Sequence, residues 1–306
     1  MTRFLVTGAS GLLGLNMGLQ VNGKIELIGQ VNQHRLQQVP FEQVAVNLAD
    51  EAATRKMIED TKPDVLIHCA AMANVDECEK QPELAQRVNA GVPGQLAELC
   101  LKHNIYMVHI STDAVFDGTN GPYNENDLPC PINQYALTKL AGEQEILSKN
   151  KYAAVLRVNF FGWSLSGTRS LSEWFVRNLQ ANRRVNGFTD VQFCPMMVAD
   201  LVDVILAVTE KKLHGLYHAV GRESMTKYAF GVEIARLFGL DEKLIQPVSW
   251  HDSNLTAPRS PDLRLVTGKL ATALGTQLPG WPEGLKRFHQ QALAGYPQRV
   301  LDCKQA

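Results

Sequence analysis

Along the first half of the chain, short runs of consecutive apolar residues alternate with longer stretches in which apolar positions recur every three or four residues. The runs Phe4-Leu5-Val6, Ile25-Glu26-Leu27-Ile28, Val44-Ala45-Val46, Val65-Leu66-Ile67-His68, Met107-Val108-His109-Ile110 and Ala154-Val155-Leu156-Arg157-Val158 are rich in β-branched residues and short, so each predicts a strand. Helical periodicity between them predicts helices over Glu51 to Asp60, Pro82 to His103 and Tyr135 to Ser148. Strand and helix in alternation imply a parallel sheet covered on both faces, because each crossover needs a helix to return the chain. Ligands of such sheets sit at the carboxyl ends of the strands.

After about residue 160 the rhythm loosens into a Ser/Gly-rich stretch from Trp163 to Ser170, apolar helices, and loops such as Thr256-Ala257-Pro258-Arg259-Ser260-Pro261. The expected architecture is therefore α/β: a doubly wound parallel sheet of the Rossmann type over residues 1–162, and a smaller, mainly substrate-binding C-terminal lobe over 163–306. Chain near 190–220 is expected to return to the first unit. Phe160-Phe161-Gly162-Trp163, just after the sixth strand, is a candidate wall of the substrate cleft, with Phe161 facing substrate. Trp163, Trp174 and Trp250 read as packing residues.

Composition narrows the picture. A net charge of −1 over 306 residues, with 45% hydrophobic and 20% charged residues, fits a globular chain and disfavours disorder, a nucleic-acid partner or a membrane span. The apolar start Phe4-Leu5-Val6 is broken by Gly8, Ser10, Gly11 and Gly14, so it reads as a buried strand and not a signal peptide. Six cysteines, at 69, 78, 100, 130, 194 and 303, form no C-x-x-C pair and suit a reducing, cytoplasmic setting. Cys194 reads as a buried thiol. His214 and His218 flank a strand-like segment and lack a third ligand, so no metal is expected.

Thr7-Gly8-Ala9-Ser10-Gly11-Leu12-Leu13-Gly14 follows the first strand and opens an amphipathic helix. In that setting Gly8 allows the tight turn, Gly11 lets the backbone approach a pyrophosphate, and Gly14 lets the helix pack on the strand. The helix N-terminus, with Ser10, Leu12 and Leu13, then faces the phosphates. No acid follows the second strand, where the chain reads Gly29-Gln30-Val31-Asn32-Gln33-His34-Arg35. Arg35, with His34, is a candidate partner for a 2′-phosphate, which favours NADP(H) over NAD(H); a solvated surface charge is the alternative. Asn47 and Leu48 are placed to face the adenine.

Tyr135-Ala136-Leu137-Thr138-Lys139 puts a phenol and an ammonium one helical turn apart. A phenol with pKa near 10 must fall by roughly three units to exchange protons near neutrality, and a lysine one turn away would stabilise its phenolate. A hydroxyl from Thr112 would orient the reacting carbonyl.

With both sites in order, the chain resembles an extended short-chain dehydrogenase/reductase of the dTDP-4-dehydrorhamnose reductase branch. The similar strings are Asp64-Val65-Leu66-Ile67-His68-Cys69-Ala70-Ala71, Asn74-Val75-Asp76, Val88-Asn89-Ala90, Ser111-Thr112-Asp113-Ala114-Val115-Phe116-Asp117-Gly118, Pro131-Ile132-Asn133-Gln134-Tyr135 and Lys139-Leu140-Ala141-Gly142-Glu143. The resemblance implies that Cys69, Ala70 and Ala71 line the nicotinamide side, that Thr112, Tyr135 and Lys139 are catalytic, and that Tyr135 and Lys139 also touch the cofactor. It implies a nucleotide-sugar substrate, with Asn74, Asp113 and Arg259 on the substrate side. Ala114 stands where that branch has tyrosine, and Asn16 where some members carry a glutamate used in a magnesium-linked dimer; a homodimer is left open. Asp113-Ala114 lacks the second acid of sugar-nucleotide dehydratases. An epimerase stays open. So does a regulatory role, because Phe41-Glu42-Gln43-Val44 and Met225-Thr226-Lys227-Tyr228 resemble the non-catalytic β subunit of methionine adenosyltransferase.

Overall fold

The computed structural model describes residues 2–304 apart from Lys24 and residues 253–257. Thr256 and Ala257 of the proline-flanked loop lie outside the described residues. All six apolar runs are strands: β1 (Arg3–Thr7), β2 (Glu26–Val31), β3 (Glu42–Ala45), β4 (Val65–His68), β5 (Tyr106–Thr112) and β6 (Ala154–Val158). The second half adds β7 (Phe160–Phe161), β8 (Val185–Phe188), β9 (Gln192–Phe193), β10 (Met196–Met197), β11 (Gly215–Ala219), β12 (Met225–Thr226), β13 (Ile245–Val248) and β14 (Asp262–Leu263). β11 pairs with β6, so the main sheet has seven parallel strands in the order β3-β2-β1-β4-β5-β6-β11. Strand order reverses between β1 and β4, which opens a crevice at their carboxyl ends.

The helices are α1 (Leu12–Gln20), α2 (Glu51–Thr61), α3 (Val75–Lys80), α4 (Pro82–Gln86), α5 (Val92–His103), α6 (Gln134–Lys149), α7 (Leu171–Gln180), α8 (Val198–Glu210), α9 (Lys227–Phe238), α10 (Gly268–Leu274), α11 (Trp281–Leu293) and α12 (Tyr296–Asp302). None among the described residues is long and apolar enough to cross a membrane. Local chemistry sets their ends. Asp50 and Asn133 cap α2 and α6 by accepting from the backbone N–H of Ala53 and Ala136, and Ser170 with Glu173 forms a capping box on α7.

The stretch Pro82 to His103 is predicted as one helix, but a π turn over Arg87–Gly91 divides α4 from α5. Such turns gather at functional sites. Here it seats Asn89 beneath the cleft, where its amide brackets the backbone of Met72 and reaches the Thr138 hydroxyl.

Side chains alternate across each strand. Phe4, Val6, Ile67, Val108 and Ile110 share one core with α1 and α8; Leu5, Leu66, Met107 and Val155 share the other with α2, α5 and α6. A buried ion pair ties β6 to α6: Arg157 donates to Glu143 at 2.7 Å, both side chains being 2–3% exposed. The chain's end packs back on its beginning. Tyr296 donates to Asn16 Oδ1 at 3.0 Å, and Asn16 Nδ2 donates to Trp163 O at 2.8 Å. Asn16 is thus buried beneath this chain's own α12.

Candidate active site

The loop after β1 turns through Gly8, whose φ of +67° favours glycine and whose Cβ would lie 2.8 Å from the Ala70 backbone. A Cβ on Gly14 would lie 2.5 Å from Gly8 O, so this position lets α1 pack against the loop. Gly11 differs. Its Cβ would meet only Gly8 O, at 3.1 Å, and would otherwise enter the open cleft. Gly11 also N-caps α1 with no side-chain hydrogen bond, leaving first-turn N–H groups for an anion.

The cleft above this loop measures about 570 Å³ and is lined by Gly8, Ser10 to Gly14, Asn47, Leu48 and Cys69 to Ala71, with Ile110, Phe160 and Arg169 across from them. No carboxylate lines it among the described residues. A narrow, uncapped helix end, a small-residue floor and one guanidinium fit the pyrophosphate and ring faces of a dinucleotide.

A second cavity of about 650 Å³ shares Arg169, Ser170 and Leu171 with the first. It gathers the cations Arg169, Arg184 and Lys227 with Trp174 and Phe188. Lys227 Nζ lies 5.9 Å from the Phe188 ring centre.

At the carboxyl end of β5, Thr112 and Asp113 face the first turns of α6. Burial pushes the Tyr135 phenol up to about 12, opposed by its hydrogen bond with Thr112 and reinforced by the nearby Asp113 charge. The expected fall of this pKa is therefore not found, and Tyr135 stands as a protonated phenol. Lys139 is 2% exposed and donates to Ile110 O at 2.7 Å and to His109 Nε2 at 3.1 Å. Burial lowers it from 10.5 to about 8, against the attraction of Glu143 and Cys69. Asp113 is pushed up to about 6 by burial, although it accepts from Asn159 at 2.5 Å and from Thr112 at 3.2 Å. Lys227 is coupled to both Asp113 and Arg259, so the three converge.

A family described as RmlD substrate binding domain matches residues 2–294. The chain belongs to the RmlD family. It is 34% identical over 292 residues to the methionine adenosyltransferase 2 subunit beta of Rattus norvegicus, covering 90% of this chain and 84% of that protein. It is 31% identical over 280 residues to a probable low-salt glycan biosynthesis reductase, Agl14, of Haloferax volcanii, covering 90% and 93%. The crystal structure of dTDP-4-dehydrorhamnose reductase from Bacillus anthracis in complex with NADP superposes with a TM-score of 0.85 at 25% identity, covering 95% of this chain and 100% of that one.

Within this RmlD-family site four sequence expectations need correction. His34 and Arg35 do not line the cleft: Arg35 donates to Gln43 O at 2.9 Å, and the Gln43 amide brackets Leu36, turning the segment along β3. Gln30 and Asn32 line that end instead. Phe161 is 2% exposed among Phe230 and Phe288, while its neighbour Phe160 lines the cleft. Asn74 is spent as the cap of α3, accepting from Glu77 N–H at 3.1 Å. Trp174 is 38% exposed and lines the second cavity. Arg259 pairs with Asp76 at 3.6 Å in the loop that leans on residues 116–118.

Several site residues carry no sequence motif. Gln30 is 2% exposed and its side chain accepts from Gly8 N–H at 2.9 Å while donating to Val31 O and Val46 O. An amide inside an apolar strand is the signal that marks it. Arg169 and Arg184 offer no comparable signal, and Lys227 is marked only by the Met225 to Tyr228 string that resembles the methionine adenosyltransferase β subunit.

Proposed function

We propose that this chain is an NAD(P)H-dependent reductase of a nucleotide-linked 4-keto-6-deoxy sugar. The observation that carries this reading is continuity: the glycine-floored cleft shares Arg169, Ser170 and Leu171 with the cationic, aromatic cavity, and two cations of that cavity, Arg169 and Lys227, act electrostatically on Tyr135 and Asp113. The cleft suits the dinucleotide. The second cavity suits a nucleoside diphosphate, with its cations on the phosphates and Trp174 or Phe188 against the base.

A reduced nicotinamide in the cleft would supply a hydride to the carbonyl carbon. Tyr135, held protonated, gives its proton to the carbonyl oxygen, so that an alcohol forms. Thr112, whose hydroxyl donates to Asp113 in the free protein, would turn that proton to the same oxygen while it carries the developing charge. Lys139, one turn along α6 from Tyr135, would offset the phenolate left behind with its positive charge. Gly8 and Gly14 shape the loop; Ser10 to Leu13 offer backbone N–H groups to phosphate. Asn47, Leu48 and Cys69 to Ala71, which line the cleft, would hold the rings of the dinucleotide. NADP(H) is the preferred cofactor in this reading, because Asn32 lines the adenosine end and no carboxylate there, among the described residues, repels a 2′-phosphate.

The test is to mix the purified protein with NADPH and dTDP-, UDP- or GDP-linked 4-keto-6-deoxy sugars and follow nicotinamide absorbance. Stoichiometric NADPH consumption supports a reductase and separates it from an epimerase. Tyr135→Phe should lower kcat by about 10² to 10⁴ with cofactor affinity unchanged. The identity to the methionine adenosyltransferase β subunit supports a second reading, a nucleotide-binding regulatory subunit. NADPH binding with no turnover on any sugar, together with a stable complex with a methionine adenosyltransferase catalytic subunit that survives Tyr135→Phe, would replace the first reading by the second.

A further inference from the structure

Two imidazoles lie behind Lys139 and take no part in the steps above. His68 ends β4, His109 lies within β5, and the two are register partners. Their rings stack with centroids 5.1 Å apart and planes 30° apart. Both are at most 1% exposed. Burying a polar ring is costly unless it holds something. His68 Nδ1 is 2.7 Å from the Thr7 hydroxyl, which also accepts from Ala70 N–H at 3.3 Å. His109 Nε2 is 3.1 Å from Lys139 Nζ.

An ammonium has donors and no acceptor, so Nε2 of His109 receives the hydrogen bond and that ring is neutral with its proton on Nδ1. Burial and the Lys139 charge hold both imidazoles far below 6.5. Glu143 sits one turn beyond Lys139 on α6 and would ordinarily pair with it. Instead Glu143 is taken by Arg157 and by the Ser111 hydroxyl. A neutral ring and a carbonyl thus anchor the lysine without cancelling its charge.

We propose that His109, seated on the His68 ring, is the positioning residue for Lys139. It accepts a hydrogen bond from one ammonium N–H and Ile110 O from a second, leaving the third N–H for the site. The consequence for catalysis rests on the reductase reading; the positioning does not. The titratable groups around Lys139 are Glu143 on α6, His68 at the end of β4 with Cys69 just after it, and His109 on β5.

The test is an NMR titration of the Lys139 side chain, isotopically labelled, in the full protein without cofactor or substrate. Wild type should titrate below 10.5, at about 8. His109→Leu removes the acceptor and should lower the midpoint by about one to two further pH units, the usual worth of a hydrogen bond to a charged group. His109→Gln places an acceptor oxygen on a similar stem and should restore the midpoint to within about half a unit of wild type. Should the leucine variant fail to fold, His109→Met carries the same comparison. Equal midpoints in wild type and the apolar variant overturn the proposal. So does a glutamine variant that follows leucine, since acceptance would then not be what matters. Failure of reductase activity leaves this outcome standing, and an unmoved titration leaves the reductase reading standing.

Discussion

Asp113→Asn isolates one electrostatic cost built into the site. Asp113 is 4% exposed, and burial moves its carboxyl from 3.8 to about 6. Asn159, Thr112 and Lys227 pull the other way without cancelling that effect. A raised carboxyl pKa means that the folded state holds this proton more tightly than the unfolded chain does. Stability is therefore gained as pH falls through about 6, and the gain levels off below the unfolded value of 3.8. With these two values, the gain between about pH 7.5 and about pH 4.5 is about 2 kcal/mol. Asparagine has no proton to gain, so its stability lacks this contribution. Urea unfolding of wild type and variant at both pH values gives a difference of differences in which the other carboxylates cancel. The variant's stability relative to wild type should decline by about 2 kcal/mol on acidification. Parallel pH dependences, with the gap constant within a few tenths, would show that Asp113 titrates as an ordinary carboxylate and refute the reasoning.

Gly11→Val should abolish dinucleotide binding, read by nicotinamide fluorescence, while leaving the thermal midpoint nearly unchanged, because its side chain enters the cleft and not the core. Gly14→Ala should do the reverse in part: a methyl 2.5 Å from Gly8 O forces the loop to shift, costing about 1–3 kcal/mol in denaturant unfolding. Glu143→Gln leaves the Arg157 guanidinium buried without its counter-charge and should cost about 3–5 kcal/mol by the same measurement. A loss below about 1 kcal/mol would mean that water reaches that pair.

What could be read in the sequence is what local pattern determines. The strands β1 to β6 follow from β-branched runs of the right length, and Gly8 and Gly14 from a loop whose backbone leaves no room for Cβ. The misplaced residues depend on where the chain goes after an element ends. Arg35 belongs to a segment steered by the Gln43 amide, a contact seven residues away that no periodicity reports. Phe161 and Phe160 are neighbours on a two-residue strand, where register decides which ring meets the core and which meets the cleft. Arg169, Arg184 and Lys227 meet only because α7, β8 and the start of α9 pack together.

The two halves of the site answer to different demands. Binding a dinucleotide needs the uncapped end of α1, the glycine loop and the small residues after β4, all within the first half of the chain. A regulatory subunit that only holds a nucleotide could dispense with the rest. The remainder is nevertheless built at a cost: Asp113 stays buried above its ordinary pKa, and burial likewise lowers Lys227. Lys139 is anchored by neutral groups that preserve its charge, while Arg157 occupies the carboxylate that would quench it. Strained charges of this kind gather where a charged ligand or a moving proton offsets them. Asp113 and the cavity's Arg169 both act on Tyr135, and Lys227 acts on Asp113, so the buried charges join the phenol to a cationic cavity that the dinucleotide does not need, which is what the proposed reduction of a second ligand would use.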